Sequence, residues 1–236
     1  MDISSPDKVA AFKEACMLAN QGHWQDAYDI YCTVFEYAHN NPSPRPVGSE
    51  KPVLSSDLIG LTEIYKADCL GYLGRFDQAK KQLEEPILTI CVNGFVDLRY
   101  LWHFYFVYGN VLGALGDIAG MDDKLSRALK IAAESLGDAE RCQQSWFLMM
   151  ACANKNQAWQ YLLDTALQAK QFAINDSMEE LEFRANECIA YAHHGLNDIG
   201  NARMAGQHNL EMAKKYQAPE AIERWQAFLS QLPSTR

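Results

Sequence analysis

The stretch Ala67–Ala79, ADCLGYLGRFDQA, contains the pattern that decides the fold. The apolar residues that lead into it recur at spacings of three and four, which is typical of an α-helix. Gly74 interrupts this pattern, and glycine readily adopts the left-handed conformation that ends a helix. Phe76 and Ala79 follow at helical spacing. The stretch therefore predicts one helix, a tight turn, and a second helix packed against the first.

The same pattern occurs five times along the chain. Each copy has a mid-helix residue that is usually small, then Gly or Asn seven positions later, and a large or apolar residue two positions after that. The small residue lets two helices approach closely, and the residue after the turn fills the gap between them. The turn positions are Gly22, Gly74, Gly116, Asn156 and Asn197, and the residues two positions beyond them are Trp24, Phe76, Ile118, Ala158 and Ile199.

This pattern resembles that of the tetratricopeptide repeat (TPR) family, in a variant whose later turn residues lie 40 to 42 positions apart. The resemblance implies an all-α, right-handed α-solenoid of about five helix–turn–helix repeats. A C-terminal capping helix closes the stack, because each repeat buries its apolar face only against its neighbours. We predict a single domain over residues 1–236, with repeats at about 6–40, 55–92, 96–136, 138–173 and 177–215 and a capping helix at 218–232.

The segment Asn41–Leu54, NPSPRPVGSEKPVL, interrupts the first repeat junction. Its four prolines and one glycine predict a loop. A lid over a binding groove and a plain surface loop are both consistent with this position, and the plain loop is favoured.

Charge and composition exclude several classes of function. The net charge of −9 and the absence of a Lys/Arg cluster disfavour binding to nucleic acid or to an anionic membrane surface. No stretch reaches the roughly 18 uninterrupted apolar residues of a membrane span. The seven cysteines are odd in number and form no C-x-x-C pair, which disfavours a disulfide framework and a structural zinc site. The N-terminus lacks a basic start followed by an apolar run, which disfavours a secretory signal. These features predict a cytoplasmic protein.

No catalytic motif is present, neither a phosphate-binding loop nor a nucleophile elbow nor a zinc-binding helix. His193 and His194 cannot share one metal-facing side of a helix, because adjacent helical residues point about 100° apart. We therefore predict no enzyme activity, no metal site and no cofactor.

The TPR resemblance implies that ligands lie along a concave groove lined by the first helix of each repeat. In the central repeat this helix lies within LRYLWHFYFVYGNVLGALGD, residues 98–117, which is aromatic enough to resemble a strand. We predict a helix here, because the first helix of a central repeat packs against neighbours on two sides and is therefore apolar nearly all round. The predicted groove residues are Phe12, Lys13, Cys16, Ile64, Asp68, Tyr72, His103, Phe106, Asn110, Trp146, Met150, Arg184, Glu187 and Tyr191. For Phe106 and Trp146, burial in the core is an equally weighted alternative.

The leading functional hypothesis is a non-catalytic adaptor, scaffold or chaperone-like module that binds a peptide segment or partner protein in this groove. Acidic and apolar residues in the groove, Asp68 among them, disfavour the family's clamp for a C-terminal carboxylate. They favour a segment with an aromatic or aliphatic anchor. The alternatives are a ligand- or peptide-responsive regulator that changes its superhelical shape, and an enzyme built on a helical array. Self-association through the groove or an exposed terminal face is also open.

Overall fold

The computed structural model describes residues 7–40, 55–95 and 97–233, and over this part the chain is helical with no strand. The all-α prediction is thus confirmed. The predicted insertion at 41–54 lies outside the described residues. The helices are α1 (Asp7–Asn20), α2 (Trp24–Asn40), α3 (Ser55–Tyr72), α4 (Phe76–Leu83), α5 (Pro86–Asn93), α6 (Leu98–Ala114), α7 (Ile118–Lys130), α8 (Ala139–Lys155), α9 (Trp159–Asn175), α10 (Glu179–Gly195), α11 (Ile199–Lys215) and α12 (Pro219–Gln231).

The chain divides into two compact units, Met1–Gly137 and Asp138–Arg236, called unit 1 and unit 2. In unit 1, each helix from α1 to α4 packs on the next one along the chain, and α6 packs on α7 and on α3. In unit 2, α10 packs against α8, α9 and α11, and α12 packs on α11. The single domain predicted for the whole chain stays a prediction.

Tight turns join the two helices of each pair, and they depend on residues that tolerate a positive φ. Gly22, Gly74, Gly116 and Asn197 have φ angles of 83°, 74°, 83° and 60°. The left-handed turns predicted at these four positions are therefore confirmed.

The fourth turn differs from its prediction by one residue. Gln157, with φ of 56°, takes the left-handed conformation, whereas Asn156 has φ of −88°. The Asn156 side-chain amide donates a hydrogen bond of 2.8 Å to the carbonyl of Cys152, which also accepts the backbone N–H of Asn156 at 3.0 Å at the end of α8. The fourth repeat was thus aligned wrongly by one position, and Trp159 rather than Ala158 begins its second helix.

The second and third repeats each contain an irregularity. Pro86 stands at the first position of α5, where its missing N–H is not needed, so the second helix of that repeat is split into α4 and α5. In the third repeat, α7 continues into a π-helical segment, Ile131–Leu136, which ends at Gly137 with φ of 59°.

The aromatic stretch predicted as a helix is α6, as expected. Trp102, Phe104 and Val107 are buried, and Gly109 lets α7 approach so closely that an added Cβ would lie 2.5 Å from Cγ of Leu125. The strand-like composition thus results from packing on several sides. Over the described residues, none of the helices combines the length and hydropathy that a membrane span requires.

Candidate functional site

A surface cavity of about 490 Å³ lies in unit 2, between the first helices of successive pairs. Its lining residues recur at spacings of three and four, so α8 and α10 each present one stripe to it. The lining comprises Phe147, Met150, Ala151 and Asn154 from α8, Glu180, Arg184, Glu187, Cys188 and Tyr191 from α10, and Arg224 from α12.

A buried carboxylate organises the polar side of this cavity. The side chain of Glu187 is only 6% exposed, yet it pairs with two arginines. Arg184 Nη1 donates to one carboxylate oxygen at 3.1 Å, and Arg224 Nη2 donates to the other. The arginine side chains are 52% and 46% exposed, respectively. A guanidinium has five N–H donors, so both arginines keep donors for other acceptors at the cavity.

The other side of the cavity is apolar. Met150 is buried and Phe147 is partly buried. Tyr191 stacks on Trp225, with ring centroids 5.4 Å apart, and makes an edge contact with Phe228 at 5.7 Å. Burial raises the pKa of the Cys188 thiol to about 12. This thiol therefore stays protonated at neutral pH and lacks the thiolate that nucleophilic chemistry requires.

Four of the residues predicted for the groove meet at this cavity, namely Met150, Arg184, Glu187 and Tyr191. Trp146 does not line it; the indole is buried and packs near Phe172 at a centroid distance of 6.4 Å. The one-residue error in the alignment of the fourth repeat explains why Trp146 was predicted for the groove. When the predicted position moves by one residue along α8, Phe147 takes the place of Trp146, and Phe147 does line the cavity.

Sequence reasoning missed six residues that line the cavity, which are Phe147, Ala151, Asn154, Glu180, Cys188 and Arg224. The correct turn position would have predicted Phe147 and Ala151 from the same stripe. Arg224 was missed because α12 was interpreted only as a capping helix. In the order of the chain, however, α12 stands where the first helix of a further pair would stand.

The predicted groove residues of unit 1 lie in a different environment. Phe12 packs edge-on against Tyr65, with ring centroids 5.5 Å apart, and Tyr65 lies 4.8 Å from His103, so aromatic rings connect α1, α3 and α6. Phe106 is partly buried and stacks on Trp102 at 4.8 Å.

The remaining predicted residues of unit 1 vary in exposure. Ile64 is fully buried in the core of the unit, and Cys16 accepts a hydrogen bond of 3.2 Å from the hydroxyl of Tyr31. Lys13 is exposed and Asn110 is partly buried. Tyr72 is 60% exposed and stacks on Trp24 at 3.9 Å.

Asp68 is partly buried on α3, and burial raises its pKa to about 7. No side chain of the described residues forms an ion pair with it. Asp68 is therefore an acid on the predicted groove face whose charge has no partner in this part of the chain.

Metal binding has no support among the described residues, which contain no group of three or more His, Cys, Asp and Glu side chains placed to hold an ion. His193 instead contacts Asp198, with 3.2 Å between Nδ1 and Oδ2, across the turn between α10 and α11.

Neither a protein-family model nor a curated protein matches this sequence. Two solved structures of kinesin light chain repeats from Podosopora anserina, described as nearly identical TPR-like repeats, are similar to it with a TM-score of 0.66 each. Their sequences are 14% and 16% identical to this chain, of which they cover 88% and 89%, and 95% of each of those chains is covered in turn. The apo form of RapI is similar at a TM-score of 0.48 and 13% identity, over 95% of this chain and 70% of that one.

At this level of identity the similarity shows the fold. The chain has the TPR-like fold, and the resemblance predicted from the turn pattern is confirmed.

Proposed function

We propose that this chain is a non-catalytic interaction module that binds a peptide segment of another protein, and that the cavity of unit 2 is part of its binding surface. One observation carries the proposal. A buried glutamate, Glu187, holds two half-exposed arginines at a cavity whose other side is apolar.

The arrangement fits recognition of a peptide for physical reasons. Burying a carboxylate is costly, and a well-packed apolar residue often stabilises a core as well as an ion pair does. An ion pair whose cations stay accessible provides donors for backbone carbonyls or carboxylates of a ligand, in an orientation that Glu187 fixes. Arg and Tyr are also enriched among the residues that dominate binding energy at protein interfaces. A volume of about 490 Å³ lies within the usual range of ligand pockets.

The same residues support a binding role over a catalytic one. The Cys188 thiol is held protonated by burial, and both carboxylate oxygens of Glu187 are occupied by arginines. Cys188 and Glu187 therefore do not form a pair of nucleophile and available base.

The proposal extends to the wider molecule. The predicted contacts in unit 1, which include Phe12, Lys13, Tyr72, His103, Phe106 and Asn110, are further candidate contacts for the partner. The repeats act as one cytoplasmic binding domain, and self-association through its surfaces is one form the interaction can take.

The test is a screen of the purified full chain against a phage-displayed library of random 12-residue peptides. The decisive variant is Ala151→Trp, which places a bulky ring into the cavity from an exposed position and leaves both arginines in the sequence. Ala119→Trp is the matched control, because Ala119 is an exposed residue of α7 in unit 1. We expect peptides selected by the wild type to lose at least tenfold in affinity for Ala151→Trp and to bind Ala119→Trp unchanged.

Equal binding of those peptides to both tryptophan variants would place the binding surface elsewhere. Arg184→Gln provides a second test, since it removes one accessible guanidinium and leaves Arg224 to pair with Glu187. Small-angle scattering of the wild type with and without a selected peptide separates an adaptor, which keeps its dimensions, from a regulator that changes shape.

A further inference from the structure

Asp68 lies on α3 with one tyrosine on each side along the same helix face. Tyr65 precedes it by three residues and Tyr72 follows it by four, and these spacings place the three side chains next to one another. Burial raises the pKa of both Tyr65 and Tyr72, and the charge of Asp68 raises it further, so the carboxyl acts on both rings electrostatically. One carboxyl group thus lies between two aromatic rings.

Both tyrosines are held in place by other rings. Tyr72 stacks almost parallel on Trp24, with centroids 3.9 Å apart and an interplanar angle of 5°, and it remains largely exposed. Tyr65 is fixed among Phe12, Tyr31 and His103, at centroid distances of 5.5 Å, 5.6 Å and 4.8 Å. The aromatic surroundings of the carboxyl are therefore ordered before any ligand arrives, which lowers the entropic cost of binding.

The groups around Asp68 supply no fixed positive charge. On its own helix they are Tyr65, Cys69 and Tyr72, and burial raises the pKa of both Tyr65 and Cys69 to about 12, so both stay neutral near pH 7. Around Tyr65, α1 contributes the Cys16 thiol, α2 contributes Tyr31, and α6 contributes His103 and Tyr100, none of which carries a fixed positive charge. Burial also raises the pKa of Asp68 to about 7, as expected for a carboxylate that lacks a counterion.

Two buried acids on first helices differ from Asp68 in this respect. Glu63 pairs with Lys66 at 2.8 Å, and Glu187 pairs with two arginines. Unlike these two glutamates, Asp68 has no cationic partner in the part of the chain that the structure describes. A ligand that brings a positive charge would supply the missing partner, and it would also lie beside the exposed ring of Tyr72, since aromatic faces attract cations.

We propose that Asp68, between Tyr65 and Tyr72, binds the ammonium or guanidinium group of a lysine or arginine side chain in a partner peptide. The site is in unit 1 and does not depend on the cavity of unit 2, so each can fail without the other.

The test titrates the full chain with three capped tripeptides, acetyl-Gly-Lys-Gly-amide, acetyl-Gly-Arg-Gly-amide and the neutral acetyl-Gly-norleucine-Gly-amide. A fourth probe, n-butylammonium, represents a free amine. NMR follows the side-chain carboxyl carbon of Asp68 and the ring signals of Tyr72. We expect the lysine and arginine peptides to bind saturably at pH 8, and the norleucine peptide to bind at least tenfold more weakly.

Affinity for the cationic peptides should rise about tenfold from pH 6 to pH 8, because a carboxyl with a pKa of about 7 is mostly protonated at the lower value and mostly ionised at the higher one. Asp68→Asn should remove this pH dependence and weaken binding at pH 8 at least tenfold. Asp77→Asn, an exposed acid in the first turn of α4, is the charge-matched control and should change nothing. His103→Gln should keep the pH dependence, which excludes titration of His103 as its source.

Four results would overturn the proposal. They are equal binding of the norleucine and lysine peptides, unchanged binding by Asp68→Asn, loss of the pH dependence in His103→Gln, and binding of n-butylammonium without either cationic peptide. Tyr72→Leu keeps the test decisive even if Asp68→Asn alters the fold, because Tyr72 is largely exposed. This variant should weaken binding severalfold while the carboxyl remains.

Discussion

Glu63 in unit 1 and Glu187 in unit 2 are both buried glutamates on the first helix of a pair, but the exposure of their partners differs. The ammonium of Lys66, 2.8 Å from Glu63, is itself buried and lies 4.5 Å from the ring centroid of Phe35. The arginines on Glu187 are about half exposed and border a cavity. The first pair is closed to ligands and the second is open to them. The exposure of the cation, rather than the burial of the acid, thus marks the candidate binding site.

The strongest test of this comparison is Lys66→Ala. It leaves Glu63 buried without a counterion, and burial already raises the pKa of that carboxyl while Lys66 lowers it. We expect the free energy of unfolding at pH 7, measured by urea denaturation, to fall by about 3–5 kcal/mol. The double variant Glu63→Leu, Lys66→Met should recover most of this loss, since it removes both charges. A cost below about 1 kcal/mol for Lys66→Ala would mean that the pair is solvated rather than closed.

Gly109→Ala tests how tightly the helices of unit 1 pack. The added methyl group would lie 2.5 Å from Cγ of the fully buried Leu125, so we expect a loss of about 1–3 kcal/mol by calorimetry. Gly206→Ala in unit 2 meets Phe228 and Leu229 at 3.0 Å, and both side chains are only partly buried, so its cost should be smaller.

Gly71→Ala is the helical control for both glycine variants, since nothing lies within 4 Å of its added Cβ. It should leave stability unchanged or raise it by up to about 1 kcal/mol, because alanine favours a helix over glycine. A loss at Gly71 as large as that at Gly109 would show that helix propensity, and not packing, dominates.

Asp68→Asn tests the acid that has no partner. Its pKa is raised from 3.8 to about 7, so the folded chain holds a proton that the unfolded chain releases between these values. Wild-type stability should therefore fall as the pH rises from about 4 to about 7, with no penalty below pH 4. One pKa unit corresponds to about 1.4 kcal/mol, so we expect Asp68→Asn to raise the free energy of unfolding by up to about 4 kcal/mol at pH 8 and to leave it nearly unchanged at pH 4. A stabilisation of the same size at both pH values would exclude the carboxylate charge as its cause.

Arg224→Ala should have the smallest effect on stability, at most about 1 kcal/mol in the same urea experiment. Arg224 is half exposed, and Arg184 continues to pair with Glu187 after its removal. If Arg224→Ala costs as much as Lys66→Ala, the two glutamates do not differ in the way proposed, and the arginines of unit 2 serve stability instead of binding.

The residues of the candidate site could be predicted where the turn of the repeat was placed at the correct residue. In the fifth repeat the turn at Asn197 was placed correctly, and Arg184, Glu187 and Tyr191 all line the cavity. In the fourth repeat the turn was assigned to Asn156, because asparagine tolerates a positive φ, whereas Gln157 adopts that conformation in the structure. That one-residue error rotates the assigned face of α8 by about 100°.

The sequence by itself determined that the chain is helical and where most of the turns lie. These properties depend on residues within a few positions of one another, and a glycine such as Gly74 acts through its own φ angle. The tertiary structure decided which acids have partners. Arg224 reaches Glu187 from another helix, 37 residues away, and Lys66 is removed from solvent only by the packing of neighbouring helices. Pairing and burial of charge depend on distant segments, so no local pattern encodes them.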